Sequence, residues 1–289
     1  MNSYKEKFFK SITYIASMIV ILFLFGIIFS IFREGIPIFQ LVSIMDFLFG
    51  TAWYPTQAVP EYGIWTMIAA SFYVTAGALF IAIPLGLGTA VYLSEVAGSR
   101  TREIGKPVIE LLASIPSVVY GLFGMAFLAP VIRTVFQLDT GLNVLSVSII
   151  LGIMVVPIIA SMSEDALATV PKNLREASLA LGATSWETIT HVVVPAARSG
   201  IIGSILLGFG RAIGETMVVL MVAGGSARIP HSIFESVRPM PSTIAAEMGE
   251  TVMGDAHYFA LFGIAIVLFI ITFVSNTVTE LVFLKRGSR

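Results

Sequence analysis

Of the 289 residues, 56% are hydrophobic and only 12% charged, with a mean hydropathy of +0.92; this excludes a soluble globular enzyme and predicts an all-α, polytopic membrane protein. The net charge of -1 comes from charges confined mostly to loops, so no basic patch is offered to nucleic acid. The absence of cysteine excludes disulfides and thiolate metal sites and leaves the compartment open.

Lys5, Lys7 and Lys10 precede a charge-free run from Ser11 to Phe32, which is longer than a signal-peptide core and has no small-x-small cleavage site after it. It reads as a retained span. Further apolar runs cover Ile64 to Leu93, Val108 to Ile132, Leu145 to Met162, Ile201 to Gly224 and Tyr258 to Phe283, giving six predicted spans. The second is too long for an upright helix and contains Pro84 and Gly86-Leu87-Gly88, which predicts a tilt or kink. Residues 1–63 form a first span with an external segment, and 64–289 the main membrane unit. In the external segment, Trp53, Tyr54 and Trp65 read as interfacial aromatics.

Orientation follows from the basic residues. With the N-terminus inside, Lys5, Lys7, Lys10, Arg100, Arg102, Lys106, Lys172, Arg175, Arg198, Lys285, Arg286 and Arg289 are cytoplasmic, against Arg33, Arg133, Arg228 and Arg238 outside. This asymmetry places both termini in the cytoplasm. The loop 163–200 then faces the cytoplasm too.

That loop contains EASLALGATSWETITHVVVPAARSG, from Glu176 to Gly200, a polar helix-forming stretch between two spans. Asn173 to Leu181 has helical periodicity and Gly182 is a natural stop. Thr184-Ser185-Trp186-Glu187 then reads as a capping box that starts a second short helix toward Pro195. The product is a handle on one face of the membrane. Its register is Glu176-Ala177-Ser178, three residues, Gly182, nine residues, Val192-x-Val194-Pro195. This resembles the "EAA" loop of ATP-binding-cassette importer permeases: Glu-Ala-Ala, three, Gly, nine, Ile-x-Leu-Pro. Ser178, Val192 and Val194 are the departures. The resemblance implies a type I importer permease fold and a loop that docks in a cleft of a separate ATPase subunit. Glu176, Ala177, Gly182, Ala183, Trp186 and Pro195 would be its coupling residues.

The fifth span, GSILLGFGRAIGETMVVLMVAGG, places Arg211 and Glu215 four residues apart near mid-membrane, hence on one helical face. Each charge costs about 2.5–3.5 kcal/mol there, so the pair must face a bundle interior or an aqueous path. It either neutralises itself and fixes packing, with Gly210-x-x-x-Gly214 suited to close helix contact, or it serves a passing oxyanion, which a planar guanidinium binds through two oxygens. Outside, Pro230, Pro239 and Pro241 precede Ser242 to Glu250, predicted as a short Ser-capped helix that forms part of an outer gate, a docking surface or a solvated loop.

Arg211-Ala212-Ile213-Gly214-Glu215-Thr216-Met217, Ile115-Pro116-Ser117-Val118-Val119-Tyr120-Gly121 and Met154-Val155-Val156-Pro157 together resemble the phosphate-importer permeases, in particular the C-type member of a heteromeric pair. The resemblance runs from about residue 60 to the end. Met217 stands where the A-type partner continues with Ala-Pro, and Gly224-Gly225 departs from a common Gly-Asn. It implies Arg211, Glu215 and Thr216 on the substrate path, and a heterodimer with a paralogous A-type permease in a lipid membrane. It also implies an ATPase dimer that carries ATP and Mg, and an external phosphate-binding protein.

Gly105-Lys106 is followed by Pro107 and lacks the phosphate-cradling glycine, so the chain has no P-loop of its own. His191, His231 and His257 have no ligand spacing, which argues against a metal. Glu110 and Glu280 read as interfacial carboxylates. The resemblance implies phosphate as the cargo, with another oxyanion such as sulfate, molybdate or tungstate as the alternative. A passive anion channel or an intramembrane enzyme is the alternative of another class.

Overall fold

A computed structural model describes the backbone of residues 3–284 and the side chains of 9–278. A long helix α1 (Ser3–Gly35) leads through α2 (Ile38–Leu41) and α3 (Ile44–Phe49) to a small antiparallel hairpin of β1 (Trp53–Tyr54) and β2 (Glu61–Tyr62). α4 (Trp65–Val91) passes through Pro84 and ends in a π-helical turn, Tyr92–Val96. α5 (Ser99–Ser114), α6 (Ser117–Phe123), a second π turn (Gly124–Leu128) and α7 (Ala129–Val135) follow. Next come α8 (Val144–Ala168), α9 (Lys172–Ala180) and α10 (Ser185–Thr188), then a third π turn (Ile189–Val193) and α11 (Val194–Ala196). α12 (Arg198–Ile213), α13 (Met217–Val222), α14 (Met240–Glu247) and α15 (Ala256–Leu284) complete the chain. Among the described residues, five segments are long and apolar enough to cross a bilayer: Phe9–Leu41, Trp65–Val96, Ser117–Val135, Val144–Ala168 and Ala256–Val278. A sixth is reached by counting as one span the pair Ser185–Ala196 and Arg198–Ile213, bent by 69°.

The bundle is built on α4 against α8, and small residues let them approach. Ala70, Val74, Ala78 and Ala82 form an i, i+4 stripe on α4, fully or almost fully buried. A Cβ on Gly152 would lie 3.1 Å from the Ala78 carbonyl oxygen, and one on Gly86 would lie 2.8 Å from Ile159. Gly208 of α12 packs on Val155 and Ile159 of α8 in the same way. The glycine that permits close approach here is Gly208 rather than the expected Gly210/Gly214 pair: a Cβ on Gly210 would first meet Asn276 at 3.5 Å, and Gly214 is the C-cap of α12. Asn143 caps α8, its Oδ1 accepting from the Ser146 N–H at 2.9 Å.

Three apolar clusters lie along α4. At one end Ile38, Phe47, Trp53, Met67, Met240 and Leu261 form a cap; the middle holds the α4/α8/α13 core; at the other end Ala90, Leu167, Val193 and Ile201 support the handle.

Four expectations are corrected. The run from Val108 to Ile132 is not one helix, because Ile115 before Pro116 is pushed out of the helical region (ψ 129°), separating α5 from α6. The run from Ile201 to Gly224 is also interrupted, between Ile213 and Met217, so Arg211 and Glu215 do not share a continuous helical face. α14 starts at Met240 with Pro239 at its N-cap; Ser242 is no cap, and its hydroxyl donates back to the Pro239 carbonyl at 2.8 Å. Trp53 is 4% exposed rather than interfacial, and its indole N–H donates to Glu247 at 3.0 Å. In addition, α8 continues past Met162 to Ala168, so the loop after it starts at Thr169. The side chain of Glu280 lies outside the described residues.

Candidate functional site: a helix break and an exposed handle

Arg211 occupies the last turn of α12, and Gly214 closes that helix. Glu215 lies in the break. Its Oε2 is 3.4 Å from Arg211 Nη2, while its Oε1 accepts the backbone N–H groups of Met217 (3.2 Å) and Val218 (3.4 Å), the first turn of α13. The carboxylate therefore does two jobs: it faces the guanidinium and it satisfies orphan donors of the restarting helix. The two partners differ in exposure. The Glu215 side chain is 3% exposed and that of Arg211 48%. A fixed, buried anion thus holds one edge of a cation whose other edge is open. Thr216, partly buried, stands beside them, its hydroxyl at 3.5 Å from the Gly214 carbonyl. α13 packs on α6 through Gly121, which lies under Met221 and Val218. The predicted trio of Arg211, Glu215 and Thr216 is brought together, at a backbone break rather than on a helix face.

The handle forms as its local sequence dictates. α9 ends at Ala180, Gly182 takes φ +87°, and Thr184 begins α10. The capping box is complete: the Glu187 N–H donates to Thr184 Oγ1 at 3.3 Å, and the Thr184 N–H donates to Glu187 Oε2 at 2.8 Å. That backbone bond, with the Thr184 hydroxyl, holds the Glu187 carboxyl below its ordinary pKa. Ser178 and Thr188 join the two helices through a hydroxyl pair at 2.9 Å. Glu176, Ala177, Gly182, Trp186 and Pro195 are all exposed and Ala183 is partly buried. Trp186 is 67% and Leu181 90% exposed, so the handle presents apolar side chains to water, a usual mark of a contact surface.

Sequence reading missed the polar ties beneath the handle. Arg102 and Lys106 of α5 both reach Glu164 of α8, at 2.7 and 2.8 Å, and Lys106 also reaches Asp165. The hydrogen bonds to Asp165 and Glu164 hold the Lys106 ammonium above its ordinary pKa. Arg175 of α9 pairs with Glu95. These partners are 58 to 80 residues apart in sequence, so no local spacing betrays them; the only signal is charge at the ends of apolar runs. At the opposite end, Glu247 accepts from Trp53, from Arg238 at 2.6 Å and pairs with His257 at 2.9 Å, tying α14 to the hairpin and to α15.

Residues 82–285 match the family described as "Binding-protein-dependent transport system inner membrane component". The chain is 40% identical to the "Probable ABC transporter permease protein YqgH" of Bacillus subtilis, over 81% of this chain and 75% of that one. It is 33% identical to the "Phosphate transport system permease protein PstC" of Mesorhizobium japonicum, over 98% of this chain and 91% of the relative. Among solved structures, a chain of a bacterial alginate ABC transporter in complex with an alginate-pentasaccharide-bound periplasmic protein superposes with a TM-score of 0.66. That match has 14% identity and covers 95% of this chain and 93% of the other.

Proposed function

The chain belongs to the family of binding-protein-dependent transport system inner membrane components, and on that premise we propose how it works as the permease subunit of an ATP-driven phosphate importer. It is a multi-pass membrane protein, and its relatives are transport subunits rather than enzymes. ATP and Mg belong to a separate ATPase dimer that grips the handle through Glu176, Ala177, Gly182, Ala183, Trp186 and Pro195. A paralogous A-type permease covers the Arg211 face, and an external phosphate-binding protein delivers the cargo at the α14 end. Residues 64–289 are the permease core and 1–63 an added span with its external segment. The excess of Lys and Arg on the handle side supports an inner-membrane orientation with both termini cytoplasmic.

The observation that carries the cargo is the Arg211/Glu215 break within a chain similar over 98% of its length to a phosphate permease. Phosphate meets the open edge of Arg211 through two oxygens, and Glu215 keeps the guanidinium in place between passages while discouraging anions from staying. The test is high-affinity phosphate uptake by cells that lack this chain. Uptake should be lost and should return with the wild-type chain; unchanged phosphate uptake with lost sulfate or molybdate uptake would assign another oxyanion.

A further inference from the structure

Arg175 immediately precedes Glu176 on the handle, yet its side chain serves a different surface. Nη2 donates to Glu95 Oε1 at 2.8 Å and Nε to Oε2 at 3.1 Å, a bidentate fork. The same guanidinium donates to two carbonyls at the end of α8, Leu167 at 3.0 Å and Val170 at 2.5 Å. Ser94 adds a hydroxyl bond to Glu95 at 2.9 Å. One side chain therefore joins α9, the end of α8 and the π turn that terminates α4.

Three features make this junction more than a staple. Every residue of α9 is at least partly exposed, so few apolar contacts hold the helix, and its fixed ties are Arg175 and the Ser178–Thr188 pair. Glu95, 8% exposed, lies in a π turn, a register defect frequent at functional sites. An open cleft of about 380 Å³ beside the fork, lined by Ser94, Glu95, Arg102, Lys172, Arg175 and Glu176, leaves room for displacement.

We infer that Glu95 and Arg175 are positioning residues that convey displacement of the handle to α4 and α8, so that the path responds to the ATPase. The inference rests on the reading of the chain as an ATP-driven importer permease. The test uses the whole complex in vesicles with ATP and loaded binding protein, and reads ATP hydrolysed per phosphate accumulated. Glu95→Gln and Arg175→Lys should each assemble and raise that ratio about threefold or more, and the double variant should be no worse than the worse single, because both changes remove one shared interaction. A pair that only stabilises the fold would lower the amount of complex and leave the ratio at the wild-type value in what remains; that result would overturn the inference. Should Glu95→Gln fail to assemble, Glu95→Asp, which keeps the charge at shorter reach, is judged by the same ratio. Wild-type vesicles that accumulate a different oxyanion would refute the phosphate reading alone, and the ratio taken with that ion would still decide the role of the fork.

Discussion

Arg211 and Glu215 form an ion pair in unequal surroundings, 48% and 3% exposed, and the proposed phosphate contact rests on that inequality. Arg211→Gln leaves Glu215 buried, with the Met217 and Val218 N–H groups as its remaining donors among the described residues. Arg211→Lys keeps a cation but loses the fork. Phosphate uptake should fall about tenfold, equivalent to ~1.4 kcal/mol, in Arg211→Gln and less in Arg211→Lys, at verified subunit levels. Glu215→Gln retains an amide oxygen that can accept from the α13 N–H groups, so it should alter rate or gating more than selectivity. A pair that merely neutralises itself would behave otherwise: Arg211→Gln with Glu215→Gln would leave no orphan charge and would transport at the wild-type rate.

The elements divide into those whose signal is local and those whose signal is not. The handle was legible because a glycine stop and a capping box are encoded within a few residues, and Gly182 does adopt the left-handed φ of +87°. No heavy atom lies within 4 Å of a Cβ placed there, so substitution acts through the backbone alone, at about 1–2 kcal/mol for an L-residue and more for a β-branched one. Gly182→Val should therefore insert normally and lose ATPase stimulation during transport, with Gly182→Asn closest to wild type; full stimulation in the Val variant would remove the handle from the mechanism. The breaks at Ile115–Pro116 and Gly214–Thr216 were less legible, since apolar composition runs straight through them. At the second break the decisive bonds come from a glutamate side chain rather than from a proline. Burial of Trp53 was invisible for a related reason: its partner, Glu247, is 194 residues away. The α4/α8 contact makes its own prediction. Gly152→Val would press on the Ala78 carbonyl and Ile81, costing about 1–3 kcal/mol by overpacking. It should lower the thermal midpoint of the purified complex, whereas Gly88→Ala, a helical position whose Cβ meets nothing within 4 Å, should not lower it.

At the scale of the whole molecule, the five or six spans among the described residues leave Arg211 half exposed, as well as the long apolar stretch of α1 and the apolar side chains Val119, Leu122 and Phe123 of α6. The proposed function requires a second such half to enclose a path that opens alternately to either side. Purification from the native membrane should yield four kinds of chain: this permease, an A-type paralogue, an ATPase and a phosphate-binding protein. A stable, active homodimer would contradict the C-type assignment. The most direct measurement is accumulation of radiolabelled phosphate in sealed vesicles containing the reconstituted complex. Phosphate should accumulate only when ATP, the ATPase and the loaded binding protein are all present, and excess sulfate or molybdate should not displace it. Phosphate crossing at the same rate without nucleotide would make the chain a passive conduit and contradict the account.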